Sequence, residues 1–78
     1  MTTTPTLGQL LRTRRICHHS HRPSDAARAI GITRVAWYRW EHGESYPGDQ
    51  RVQRVAEYLG LPPEEVLRVM DAHPLGGR

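Results

Sequence analysis

The sequence predicts an all-α domain, a compact set of five short helices. Three observations predict it. Apolar residues recur at helical spacing in separate short runs, glycine or proline marks the joins between them, and no stretch alternates apolar and polar residues as a strand would. The chain has 78 residues, one domain near the low end of what a single core holds together unaided.

The elements follow in order. Residues 1–6 read as a flexible N-terminus. Leu7, Leu10 and Leu11 begin a first helix, roughly 7–16, continued by Arg12, Arg14 and Arg15. Residues 17–22 break the pattern. Pro23 suits a first helical position, where its missing N–H would have had no partner, and Asp25 in the first turn favours the helix dipole. Ala26, Ala27, Ala29 and Ile30 give this second helix a small-residue face, and Gly31 ends it. Thr33 is an N-cap for a third helix over about 34–42, which Gly43 stops. GESYPGD is a turn-rich loop. Val52, Val55, Ala56 and Leu59 then fall at i, i+3, i+4 and i+7, an amphipathic fourth helix ended by Gly60. Pro62 and Pro63 open a fifth, with Val66, Leu67, Val69 and Met70 as its apolar side. The domain is expected over 7–71, with 72–78 a flexible tail.

Composition narrows the function classes. One cysteine, Cys17, rules out an internal disulfide framework and points to an intracellular setting. No apolar run approaches the roughly 20 residues needed to cross a bilayer, and the N-terminus has no apolar signal-peptide core. The expectation is a soluble, cytoplasmic protein with no membrane partner. No paired-carboxylate site and no nucleophile–base spacing is present, so neither an enzyme nor a cofactor is expected. All eleven basic residues are arginine. Residues 1–43 carry seven of them against Asp25 and Glu41, a net of +5, while residues 44–78 carry four against six acids, a net of −2. A basic half joined to a mildly acidic half suggests one face turned to a polyanion.

The second and third helices meet across Gly31-Ile32-Thr33. Two helices joined by so short a glycine-containing turn form a helix-turn-helix unit, whose second helix can lie in the DNA major groove. At about 100° per residue, Trp37 and Trp40 share the inner face of the third helix and Glu41 lies at its edge. Val35, Tyr38, Arg39 and His42 point the opposite way, with Arg34 on the flank. Arginine suits the O6 and N7 acceptors of guanine, and valine can touch a thymine methyl. Tyr38 can reach a phosphate or a base edge, and the N-terminus of the helix, at Thr33, favours phosphate.

The segment IGITRVAWYRWEHGESYP resembles the Cro/C1-type (XRE-like) helix-turn-helix family, the lambda repressor-like domain. The resemblance rests on Ile30, Gly31, Ile32, Thr33, Trp37 in an Ile/Val slot, Trp40, Glu41, Gly43 and Pro47, and on the Leu59-Gly60 pair before the last helix. It implies that Arg34, Val35 and Arg39 read bases, that Ser45 and Tyr46 touch phosphate, and that Arg15 pairs with Glu41 as a structural ion pair. Where the family often has Gln near the start of the second helix, this chain has Arg22 and Pro23, so Arg22 or Ser24 is expected to supply that phosphate contact. His42 joins the expected phosphate set. The connection before the second helix is one residue longer than usual in the family.

That connection holds CHHSH, residues 17–21, which has three readings. Cys17, His18, His19 and His21 would gather a metal only if three or four ligands converged, His42 or His73 assisting. Alternatively His21 covers the core and the others are solvated. In the third reading the histidines lie beside DNA and gain charge below about pH 6.5. The Trp37–Trp40 pair is core or, less simply, a stacking platform for single strands. Arg12 and Arg14 touch phosphate or are plain solvated charge. Val66, Leu67 and Met70 give more apolar surface than the core needs and mark a homodimer interface, since one unit reads only a few base pairs. The function expected is a sequence-specific, double-stranded DNA-binding transcriptional regulator on a near-palindromic site, repression being the commoner outcome in the family. The alternative is a protein-interaction module, antitoxin-like or accessory, acting through the fourth and fifth helices.

Overall fold

Capping chemistry sets where the helices of the computed structural model, which describes residues 5–73, begin and end. They are α1 (Leu7–Thr13), α2 (Pro23–Ile30), α3 (Arg34–Glu41), α4 (Asp49–Leu59) and α5 (Pro63–Ala72), and no strand occurs among the described residues. Thr6 opens α1 with a reciprocal box: its hydroxyl accepts from the Gln9 N–H at 3.1 Å, and its own N–H donates to Gln9 Oε1 at 2.9 Å. Thr6 therefore belongs to the folded domain rather than to a flexible head. Gly31 and Gly60 end α2 and α4 in the left-handed region, at φ 89° and 72°. The helix α5 runs one residue past the expected boundary at 71 and includes Ala72. The expected flexible ends at 1–4 and 74–78 lie outside the described residues.

The first helix departs from the expected 7–16. It ends as an α-helix at Thr13 and continues as a π-helical turn over Arg14–His18, the His19 N–H donating to the Arg14 carbonyl at 3.1 Å. A π turn holds one residue more than an α turn, so it can accommodate an added residue without unravelling the helix end. The chain then closes back: the His21 N–H donates to the Arg15 carbonyl at 2.8 Å, and Ser20 turns at φ 54°.

The core is small and aromatic at its centre. Trp37 is fully buried, Trp40 nearly so, and the Trp37 indole meets the Tyr58 ring edge-on at 5.6 Å. Leu7 and Leu11 cover it from α1, Ala26, Ala27 and Ile30 from α2, Val55 and Leu59 from α4, and Val66 from α5. Both tryptophans are thus core rather than a stacking platform. The helices α1 and α3 touch backbone to backbone at Gly8, where any side chain would overlap the Glu41 carbonyl. The result is a platform that holds α3 by its inner face and leaves its outer face bare. No helix among the described residues is long and apolar enough to cross a membrane.

Candidate nucleic-acid interface

Thr33 starts the interface by accepting the Ala36 N–H at 3.1 Å, which fixes the first turn of α3 against the Gly31 bend. Burying Trp37 and Trp40 then forces the other face outward. Arg34 and Arg39 are exposed, as are Val35 at 59% and Tyr38 at 53%. A shallow, mainly apolar hollow lies between Pro23 at the start of α2 and Val35, Tyr38 and His42. The only carboxylate of α3, Glu41, is held by Arg15 and lines this hollow between α2 and α3. His42 stacks on Tyr38 with ring centroids 3.9 Å apart, and its Nδ1 lies 2.9 Å from the Tyr38 carbonyl. A carbonyl only accepts, so Nδ1 carries a proton and donates it there.

The flanks differ in character. At the start of α2, the Arg22 N–H and Nε both donate to Asp25 Oδ2, at 3.2 and 3.3 Å. The backbone N–H and then the guanidinium hold the Asp25 carboxyl below its usual range. The Arg22 side chain stays 83% exposed and can swing away from this partner. Ser24 beside it is half-buried. On the other flank Ser45 is half-buried. Tyr46, expected at phosphate, is turned inward instead: its ring packs on the core and its hydroxyl donates to the His73 carbonyl. The single O–H is taken, and burial pushes its pKa up. The assignment of Tyr46 to a direct phosphate contact is corrected accordingly.

Behind α3, Arg15 Nε donates to Glu41 Oε1 at 3.0 Å and Nη2 to Oε2 at 3.5 Å, while the Trp37 indole N–H donates to the same Oε1 at 3.3 Å. Both charged side chains are about nine-tenths buried. Arg15 Nη1 also donates to the His21 carbonyl at 3.2 Å. A second arginine has a structural role that spacing alone does not reveal: Arg14 Nε donates to the Tyr58 carbonyl at 3.1 Å, capping the end of α4, and its guanidinium covers Gly60. Arg14 is therefore neither a phosphate contact nor plain solvated charge; Arg12 is exposed.

CHHSH is divided between solvent and core. Cys17, His18, His19 and Ser20 are exposed, and His21 is half-buried. His19 stacks on Tyr58 at 4.2 Å with its Nε2 3.1 Å from the Tyr58 carbonyl, and His21 Nδ1 lies 3.0 Å from the Tyr58 hydroxyl. Both rings thus serve Tyr58, whose hydroxyl burial pushes up in pKa. No three His, Cys, Asp or Glu side chains converge on a metal-sized site among the described residues. On α5, Val66 is fully buried in this chain's own core and is unavailable to a second copy; Met70 is half-buried and packs on that core, leaving Leu67, 44% exposed. The expected interface of Val66, Leu67 and Met70 narrows to Leu67 with an edge of Met70.

A family model described as a helix-turn-helix domain matches residues 6–69. The chain belongs to the helix-turn-helix domain family. A search of curated proteins found no match. Among solved structures, the solution NMR structure of the DNA-binding domain of the P22 C2 repressor superposes with a TM-score of 0.71 at 23% identity, covering 88% of this chain and 90% of that one. The fold is lambda-repressor-like, with α2 and α3 as the helix-turn-helix.

Proposed function

We propose that this chain is a sequence-specific, double-stranded DNA-binding transcriptional regulator that lays α3 in the major groove. The observation that carries the reading is the outer face of α3. Arg34, Val35, Tyr38 and Arg39 stand exposed there with no acid among them, because Glu41 is drawn inward by Arg15. Arg34 and Arg39 would read guanine edges and Val35 a thymine methyl, with Tyr38 between them. Arg22, Ser24, Thr33, His42 and Ser45 flank this face and would set the register on phosphates. The likeness to the P22 C2 repressor domain supports the reading at the level of fold. Repression fits a domain that acts by occupying a site, and a cytoplasmic, nucleoid-associated location fits a DNA partner.

Two copies would bind a near-palindrome, with Leu67 at the contact between them. Fluorescence anisotropy against a pool of random duplexes, with selection and a salt titration of the winners, tests all of this. A two-fold symmetric winner, affinity falling steeply in salt, and loss of selection in Arg39→Ala support it. Leu67→Arg should leave the fold intact and abolish paired occupancy. Weak, sequence-blind binding would sink the reading and turn the search to a protein partner for α4 and α5.

A further inference from the structure

The loop from α3 to α4 is held at both ends. Gly43 turns the chain at φ 74°, and the Glu44 and Ser45 N–H groups donate to the Arg39 carbonyl at 2.8 and 3.4 Å. The near end of the loop is thus fastened to the residue proposed to read a base. At the far end Pro47 is buried, and Tyr46 crosses the interior edge to donate its hydroxyl to the carbonyl of His73, one residue beyond the end of α5. Ser45 lies between these two fastenings. Its N–H is taken by Arg39, so its hydroxyl is what it can offer outward.

We propose that Tyr46 is a positioning residue for the DNA backbone: its hydroxyl, bonded to the end of α5, fixes the loop so that Ser45 meets a phosphate. The inference rests on the DNA-binding reading and deepens it. Tyr46 contributes no contact of its own. It removes freedom that Ser45 would otherwise lose on binding, which is how preorganisation raises affinity. Because the tether acts on a phosphate contact, it affects all sequences alike.

The test uses Tyr46→Phe, which keeps the ring in the core and removes only the hydroxyl. Binding is measured on the selected duplex, on a variant with one altered base pair, and on duplexes carrying a single neutral methylphosphonate at each backbone position. The affinity of Tyr46→Phe should fall about three- to tenfold, equally for the selected and altered duplexes. One backbone position whose neutralisation weakens the wild-type protein should no longer matter. Adding Ser45→Ala to Tyr46→Phe should cost nothing more, although Ser45→Ala alone weakens binding. A purely structural tyrosine would lower the melting temperature and leave the methylphosphonate pattern unchanged; that pattern, or independent effects of the two substitutions, overturns the proposal. Wild-type protein that selects no duplex overturns the DNA reading and this inference with it. Selective binding with an unmoved pattern overturns the inference alone.

Discussion

Replacing Arg15 by alanine should be among the most damaging single changes to a charged residue in this chain. The Arg15 and Glu41 side chains are 12% and 11% exposed, so solvent screens the pair only slightly. Arg15 supplies two N–H donors to the carboxylate and a third to the His21 carbonyl. Without it, Glu41 keeps only the Trp37 indole N–H, and the His21 carbonyl loses its guanidinium donor. Stranding one member of a fully buried pair costs about 3–5 kcal/mol, and residual access to water brings the expectation to about 2–3 kcal/mol. For a domain of this size each kcal/mol moves the melting temperature by about 4–8 °C, so Arg15→Ala should melt roughly 10–20 °C lower. Helix ellipticity followed through thermal unfolding measures it. Glu41→Gln should lose less, since the amide oxygen still accepts from Arg15 and Trp37. A double-mutant cycle should give coupling above about 1 kcal/mol. A melting temperature within about 2 °C of the parent would refute the argument, because the buried carboxylate would then need no guanidinium.

Three further outcomes are expected. Gly8→Ala should destabilise by about 3 kcal/mol or prevent folding, since its methyl overlaps the Glu41 backbone; denaturant unfolding measures it. Burial raises the hydroxyl pKa of both Tyr46 and Tyr58 above 10.0, so the protonated forms stabilise the fold. That stability is fully present below the ordinary tyrosine pKa and is lost as pH rises through the raised values, so tyrosinate absorbance and loss of helix should rise together above about pH 10. Finally, His42 stands exposed and stacked on Tyr38 beside the proposed base-reading face, so His42→Ala should weaken binding of the selected duplex and of a one-base-pair variant alike, as anisotropy would measure.

What the sequence made legible was everything that depends on periodicity and punctuation. The two tryptophans at i and i+3 located the inner face of α3, and the outer face followed by subtraction. Gly31, Gly43 and Gly60 marked three helix ends, each at positive φ. The Thr6-to-Gln9 box went unread, because a run of threonines before a helix suggests a loose head. Other features depend on long-range geometry that spacing does not encode. Nothing local distinguishes Arg14, which caps α4 forty-four positions away, from Arg12, which faces water. Tyr46 looked like a loop residue beside DNA, but its outcome was decided by where α5 happened to end. Val66 sat in an apolar stripe whose burial depended on how closely α5 approached α1 and α4.

The π turn and the closure after it have a practical consequence. The segment from Arg15 to His21 is closed by its own backbone and by the Arg15 side chain, and between Arg15 and the two rings on Tyr58, His19 and His21, the side chains of Ile16, Cys17 and His18 project to solvent. Cys17 sits on that projection, exposed, and is the sole thiol of the chain. A maleimide dye would therefore attach at one defined place per copy without disturbing the packing. Two labelled copies on one duplex would report their separation by energy transfer, and stepping the half-site spacing through a helical turn would show whether they follow the DNA face by face.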